Sequence, residues 1–539
     1  RLMRRVAHRA RVAHRAAMAH HHSRWSRRGG VARGVASRAA STKTNTAPPV
    51  DGYAIGALLS WLRTHGVDVG RDATTVFGVS KTFGIGGVAV RDMDEGEVIF
   101  TLPMRSTRDG GPIAMTTRDA LARDGPLAEV GRALASSGVI ERLAGVLERD
   151  YEFPLDSTST SALALALMHQ VCGGKSARWR AYCDALPRDV DSLLMWTDDE
   201  LEALQGSRLR ARAIERRELV QREYDVLFPA LANANPEVFG DERFTPQLFR
   251  WAYATVLARA FMLPDLKCMA LLPGIDLYNS ARDADKCTVD LGASADASDG
   301  GANDLDGASV TLAVGVGGAD AGDQLFHDYA DHASGGALLE FGFVYHGDYE
   351  RGIGSYAMDI SLESAFEALD AASRESLIDR DIFAKFNIRK SLTFEISNVA
   401  GVYKPALKGL ACVKPEMMRA ARALALGPDD VEPSSLDAPA PPTIERRALD
   451  IIATALLRER ERYTETSVTA DAELLAHMLK NPNAVDAAKS AEAKAASKPP
   501  VRRHPRRFTM ALEVRLGEKR LLDDILDDIR ATVAREPVA

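Results

Sequence analysis

The order of strand-like and helix-like segments restricts the fold of this 539-residue chain more than any other feature. Short apolar runs bounded by polar or glycine-rich turns predict strands early in the chain and again after its middle. They lie at 75–79, 87–91, 98–102, 286–291, 310–314 and 324–329. Between the two groups, the apolar spacing from about 113 to 262 is mostly helical. Strands interrupted by a helical insertion predict an α+β fold with short sheets rather than repeating βαβ units.

The last third of the chain again has helical spacing. Ile444, Ala448, Ile451 and Ala455 lie along one helix face. A segment rich in Lys, Ala, Pro and Arg at 485–507 predicts a disordered loop, and 508–529 resumes a helix. We therefore predict one domain over 51–350, with its helical insertion at about 113–262, and an all-α domain over 351–539.

Residues 1–50 differ in charge from the rest of the chain. They contain eleven Arg, one Lys and no acidic residue, although the whole chain has a formal net charge of −7. Arginine-rich, serine-rich and acid-poor composition is typical of an organelle transit peptide. A basic arm for nucleic acid is the alternative, but the acidic remainder of the chain would repel a phosphate backbone. We expect an organelle protein of the chloroplast stroma, with the mitochondrion as the alternative and nucleic acid excluded as a partner.

The cysteines and the apolar segments allow predictions about disulfides, zinc sites and membrane spans. The five cysteines are scattered and form no C-x-x-C pair, so neither a disulfide framework nor a zinc site is predicted. No stretch approaches about 18 consecutive apolar residues, so we expect no membrane span.

Several short motifs follow one another in a characteristic order. Residues 84–89 read GIGGVA, followed by RD at 91–92 and EGE at 95–97. The later motifs are WRAYCDALP at 179–187, FRWAYATVLARAF at 249–261, LPGIDLYNS at 272–280, DQLFHDYA at 323–330, LLEFGFV at 338–344 and RLGEKRLL at 515–522. Together they resemble the SET-domain proteins related to the Rubisco large-subunit lysine methyltransferase, over about 52–529.

This resemblance implies a SET fold, a C-terminal Rubisco LSMT substrate-binding domain and S-adenosylmethionine as cofactor. It implies that the chain methylates a lysine of a non-histone protein and acts as a monomer without a metal. By the same resemblance Tyr329 is the catalytic residue that orients the amine, and Arg259 and Asp276 line the substrate channel. The implied cofactor-binding residues are Phe83, Gly84, Ile85, Gly86, Asn279, Ser280 and Phe341.

Four positions depart from the family pattern. Ser280 stands where the family has His, Phe341 stands for a Tyr, Ala330 stands for a Gly, and Gly335 stands near the position where the family usually has a donor-site Asn. These departures keep open a second hypothesis, a protein-binding module that has lost turnover. A third hypothesis is methylation of histidine, which some relatives perform. The hydroxyl missing from Phe341 also suggests room for more than one added methyl group.

Overall fold

The computed structural model describes residues 52–69, 75–80, 84–138, 160–173, 177–281, 288–293, 305–327, 329, 332–347, 353–389, 391–400, 405–481 and 504–535. Residues 1–50, predicted to be a transit peptide, lie outside these ranges. Residues from Val50 onward form one compact unit. The strands are β1 Thr75–Ser80, β2 Gly84–Ala89, β3 Val98–Pro103, β4 Met115–Thr116, β5 Phe261–Leu263, β6 Cys268–Leu271, β7 Asn279–Ser280, β8 Thr288–Ala293, β9 Ala308–Ala313, β10 Gln324–His327, β11 Ala357–Ser361 and β12 Thr393–Ser397.

A helix precedes β1, and further helices fill the insertion between β4 and β5 and most of the chain after β10. They are α1 Gly52–Thr64, α2 Thr117–Leu121, α3 Ala128–Ser136, α4 Thr160–Cys172, α5 Arg180–Ala185, α6 Asp198–Leu201, α7 Arg208–Ala234, α8 Pro236–Phe239, α9 Pro246–Arg259, α10 Ser334–Glu340, α11 Glu363–Ala368, α12 Ala371–Asp379, α13 Ile382–Lys385, α14 Pro415–Leu424, α15 Pro442–Arg460, α16 Val468–Lys480 and α17 Pro505–Arg535. None of the helices in the described ranges is both long enough and apolar enough to cross a bilayer.

One small sheet brings distant parts of the chain together. Its strand order is β1-β2-β10-β7, so β10 lies between two strands that precede it in the chain. β10 runs antiparallel to β2, with Gln324 opposite Val88, and parallel to β7, with Phe326 opposite Asn279. The other sheets have the orders β3-β9-β8 and β4-β6-β5. The short sheets and the helical insertion confirm the predicted α+β class.

The glycine-rich segment GIGGVA is a strand rather than a turn. Residues 84–89 pair with β1 along their whole length. A Cβ at Gly86 would lie 2.3 Å from Nε2 of Gln324, and one at Gly87 would lie 2.2 Å from the ring of Tyr278. The glycines therefore let neighbouring side chains cover the strand, a close approach that a Cβ would prevent.

The C-terminal part differs from the prediction in two ways. It is mainly helical but contains an antiparallel ribbon, in which β11 pairs with β12 from Ala357 opposite Ser397 to Ser361 opposite Thr393. Alternate residues of β11 are buried, a two-residue period that is short and easily overlooked among helices. The last helix begins at Pro505, so the final residues of the predicted disordered segment are helical. Residues 482–503 lie outside the described ranges.

Buried ionic contacts join α17 to α16, and one of the cations also reaches the helical insertion. Asp471 accepts hydrogen bonds from Arg515 at 2.6 and 3.0 Å and from Nζ of Lys519 at 2.7 Å. Arg515 also donates to the carbonyl of Ala203 at 3.1 Å. The three charged side chains are at most 1% exposed. Because a buried charge without its partner is costly, this network holds α17 against the insertion.

Candidate active site

A cleft with a volume of about 220 Å³ lies where β10 meets β7. Strand ends, the C-terminal end of α9, the loop around residue 190 and the start of α17 form its walls. The residues on its inner walls are Ile85, Arg259, Asp276, Asn279, Ser280, Tyr329 and Phe341. Seven predicted site residues from five separate segments therefore meet in one cavity.

Tyr329 follows β10 and is half buried in the cleft. Its hydroxyl donates a hydrogen bond to the carbonyl of Tyr278 at 3.0 Å, and its backbone N–H donates to Oγ of Ser280 at 3.2 Å. Phe341 meets its ring edge-on, with the centroids 5.1 Å apart. Because the phenolic hydrogen points to the carbonyl, the oxygen lone pairs can accept a hydrogen bond from a ligand.

Asp276 places a carboxyl group at the wall of the cleft. Its side chain is fully buried, and this burial raises its pKa, against the effects of Arg259, the Tyr182 hydroxyl and the N–H of Gly274. Tyr182 donates to Oδ2 of Asp276 at 2.6 Å, and Arg259 donates to the Asp276 carbonyl at 2.7 Å. The carboxyl is therefore a buried, hydrogen-bonded acid at the cleft, and a cationic side chain that enters the cleft would favour its charged form.

Tyr182 has a larger part in the site than its sequence motif indicates. The motif suggests a core position without a chemical role, but the side chain is fully buried and holds the Asp276 carboxylate. Burial, followed by the charge of Asp276, raises the pKa of Tyr182 well above 10, so its hydroxyl stays protonated and remains a donor.

Asn279 begins β7 and also lines the cleft. Its Nδ2 donates to the carbonyl of Ile85 at 2.8 Å, which ties the end of β7 to β2. In the described part of the chain, its amide oxygen accepts no hydrogen bond. Nε2 of Gln324, which is packed against Gly86, is buried there without a partner. Because Asn279 lines the cleft, its amide oxygen is suited to bind a polar ligand.

The remaining predicted positions differ in their relation to the cleft. Gly84 and Gly86 belong to β2 but are not cleft-lining residues, and Phe83 lies outside the described residues. Gly335 is in the first turn of α10, where its nearest side chains are Leu209 and Val514, and it is not a cleft residue. The departure at Gly335 therefore does not change the cleft wall.

The outer wall of the cleft was not predicted from the sequence. Arg506 and Met510 of α17 line it together with Asp189, Asp191 and His346. Arg506 pairs with Asp191 at 3.2 Å. The interacting residues are more than 300 positions apart in the chain, and the sequence carries no local signal of this contact.

Arg507 fixes the start of α17 beside the cleft. It donates to Asp189 at 2.9 Å, to Asp191 at 3.1 Å and to Glu200 at 2.9 Å. Its side chain is 10% exposed. The C-terminal helix is therefore a rigid part of the cleft, since several charge-assisted hydrogen bonds hold its first turn.

Comparison with solved structures shows the fold of the chain. The SET domain of LSMT bound to lysine and AdoHcy matches with a TM-score of 0.61 at 18% identity, over 89% of this chain and 92% of that one. Rubisco LSMT bound to sinefungin and monomethyllysine matches with a TM-score of 0.60 at 18% identity, over 89% of this chain and 92% of that one. The chain therefore has the fold of the SET-domain protein Rubisco LSMT.

The amino-acid sequence is similar to several curated proteins. No protein-family model matches the chain. The chloroplastic [fructose-bisphosphate aldolase]-lysine N-methyltransferase of Arabidopsis thaliana is 26% identical over 219 residues, 41% of this chain and 38% of the relative. The chloroplastic Rubisco large subunit N-methyltransferase of Pisum sativum is 27% identical over 248 residues, 46% and 42% of the two chains. A shorter match is to the actin-histidine N-methyltransferase of Drosophila melanogaster, 26% identical over 139 residues, 22% of this chain and 26% of the relative.

The chain thus spans about two fifths of the length of the first two relatives. These comparisons confirm the resemblance that was predicted from the motifs.

Proposed function

We propose that this chain is an S-adenosylmethionine-dependent protein-lysine N-methyltransferase that acts on a non-histone protein. The observation that carries the proposal is the meeting of Tyr329, Asp276 and Asn279 in one cleft, within a fold that matches Rubisco LSMT over most of the chain. The named activities of the plant relatives support the same reaction.

The donor side of the cleft fits S-adenosylmethionine. Ile85 and Phe341 are apolar wall residues, and Asn279 has an amide oxygen with no partner among the described residues. These three residues would hold the cofactor, with Ser280 beside them on the wall. When bound, the cofactor supplies a methyl group on a positively charged sulfonium.

Methyl transfer requires a neutral lysine amine. The ordinary lysine pKa is about 10.4, so the neutral form costs roughly 4 kcal/mol near pH 7.5. The acidic wall at Asp276 attracts the ammonium form into the cleft. The rings of Tyr329, Phe341 and Phe343 exclude water there, which favours loss of the proton.

Tyr329 then orients the amine. Its hydroxyl donates to the carbonyl of Tyr278, so the phenolic oxygen accepts an amine N–H. This hydrogen bond turns the nitrogen lone pair away from the tyrosine and toward the donor side of the cleft. Fixed orientation of this kind contributes a large part of the rate in a displacement between two bound groups.

The first test is methyl transfer to proteins of a plastid extract. The full chain is incubated with isotopically labelled S-adenosylmethionine, beside Tyr329→Phe and Tyr53→Phe. Tyr53 is 82% exposed on α1 and serves as the matched control. We expect a labelled protein band with the unchanged chain and with Tyr53→Phe, and a band weaker by about a hundredfold with Tyr329→Phe.

Two measurements separate the alternatives. Acid hydrolysis of the labelled protein identifies methyllysine or methylhistidine, and methylhistidine would support the function named for the Drosophila relative. Calorimetric titration with S-adenosylmethionine addresses the binding-module hypothesis. Donor binding without methyl transfer to any acceptor would favour that hypothesis, whereas no donor binding by the folded chain would exclude both enzyme hypotheses.

We further propose that the protein is a monomer of the plastid stroma. The basic, acid-poor composition of residues 1–50 and the chloroplastic names of the relatives support this location. A fluorescent protein fused after residue 50 should enter plastids, and fluorescence in mitochondria instead would contradict the assignment. Light scattering coupled to gel filtration tests the monomer against the chain mass of 58.3 kDa.

A further inference from the structure

Ser280 is the cleft residue that departs most from the family pattern, and its contacts point to a defined task. It ends β7, which runs parallel to β10 with Ser280 opposite His327. Tyr329 follows two residues after this pair. The register therefore brings the serine side chain to the point where the chain leaves the sheet and enters the cleft.

Tyr329 is held at both of its ends by the same short segment. The carbonyl of Tyr278 accepts its phenolic hydroxyl at 3.0 Å, and Oγ of Ser280 accepts its backbone N–H at 3.2 Å. The supporting segment is itself rigid, because the ring of Tyr278 is 1% exposed and packs over Gly87. A tyrosine fixed at backbone and ring tip has little freedom to move its oxygen.

We propose that Ser280 is a positioning residue for Tyr329, and this inference rests on the proposed methyltransferase function. Its hydroxyl accepts the Tyr329 N–H and fixes the backbone from which the phenolic oxygen reaches the amine. Ser280 is 7% exposed, so water does not readily replace the lost acceptor. Displacement of a reacting group by about 1 Å can lower a rate by roughly a hundredfold.

A direct contact with the methyl donor is the competing role, since Ser280 also lines the cleft. The two roles predict different measurements. A positioning residue changes kcat and the dynamics of Tyr329 while donor affinity stays nearly constant. A donor ligand changes the Kd for S-adenosylmethionine and leaves the Tyr329 backbone unaffected.

The test compares Ser280→Ala with Ser280→Thr, which keeps the hydroxyl and suits a strand. Ser467→Ala is the matched control, because Oγ of exposed Ser467 accepts the N–H of Ala470 at 3.0 Å in the first turn of α16. Hydrogen exchange at the Tyr329 amide is followed by NMR in the ¹⁵N-tyrosine-labelled full chain, without donor or substrate. Donor Kd and kcat are measured on the same proteins.

We expect Ser280→Ala to accelerate exchange of the Tyr329 amide about tenfold and to lower kcat at least tenfold, with the donor Kd changed less than twofold. Ser280→Thr should restore both quantities, and Ser467→Ala should alter neither. Unchanged amide exchange in Ser280→Ala overturns the inference whether or not the chain is active. A tenfold weaker donor Kd with unchanged exchange would assign the donor contact instead. If the unchanged chain transfers no methyl group, the proposed function is contradicted. Amide exchange at Tyr329 then still shows whether Ser280 accepts its N–H.

Discussion

Glu518 should make the stability of the protein depend on pH, and Glu518→Gln should remove that dependence. The carboxyl lies midway along α17 and is 5% exposed. Oγ of Ser207 donates to it at 3.0 Å, and Oη of Tyr463 donates at 2.7 Å. It therefore joins the helical insertion to the C-terminal helices.

Burial raises the pKa of Glu518 from its ordinary value of 4.5 to about 7. The two hydroxyls and Arg462 act in the opposite direction, and the nearby Glu459 carboxylate adds to the increase. Glu459 itself is held by Arg208 through hydrogen bonds of 2.8 and 2.9 Å. Glu518 is thus a buried acid with hydrogen-bond donors but without a direct cationic partner.

The sign of the effect follows from proton binding. Between pH 4.5 and 7 the folded chain keeps a proton on Glu518 that the unfolded chain has lost. The free energy of unfolding therefore falls as pH rises through this window and is constant above it, as far as this group is concerned. At 1.36 kcal/mol for each pH unit, the loss amounts to roughly 3 kcal/mol.

Glutamine has the same shape as the protonated acid and cannot ionise. The free energy of unfolding of Glu518→Gln should therefore lie within about 1 kcal/mol of that of the unchanged chain at pH 5. At pH 8 it should be higher by roughly 3 kcal/mol. Urea unfolding at pH 5, 6, 7 and 8 measures the difference. Glu461→Gln, at an exposed position after α15, is the control and should differ from the unchanged chain by the same amount at every pH. A difference for Glu518→Gln that stays flat from pH 5 to 8 would refute the argument from burial.

Four further changes test other parts of the structure. Glu223→Gln should also stabilise the chain at pH 8 relative to pH 5 in the same urea series, because burial raises the pKa of Glu223 to about 7. Gly517→Ala should destabilise the chain by about 1–3 kcal/mol despite the better helix propensity of alanine, since the new Cβ would lie 1.9 Å from the Tyr356 ring. In a double-mutant cycle, Tyr356→Leu should recover much of this loss of stability. Additive effects of the two substitutions would contradict the clash. Arg507→Met should lower the free energy of unfolding by about 3–5 kcal/mol, as measured by thermal unfolding. The reason is that three carboxylates would lose the cation that they share. Asp276→Asn should raise KM for the protein acceptor roughly tenfold or more in initial-rate assays, whereas an unchanged KM would remove Asp276 from substrate binding.

The sequence determined the order of elements and pointed to seven residues that line the cleft. The strand predicted at 310–314 is β9 at Ala308–Ala313, and the strand predicted at 98–102 is β3 at Val98–Pro103. These predictions succeed because period and turn chemistry are local properties of the chain. Tyr329 and Asn279 could be named because each belongs to a motif with recognisable neighbours, and the cleft includes both.

Only the tertiary structure decided which groups support these residues. The partner of Asp276 is Tyr182, 94 positions away, and the backbone partner of Tyr329 is Ser280, 49 positions away. The glycines of β2 are explained by side chains from β10 and the segment before β7, not by a turn. Arg507 was assigned to a disordered segment because its composition is polar, yet carboxylates from the helical insertion order it. Local pattern specifies what each segment prefers to form, whereas burial and pairing depend on segments that meet only after folding.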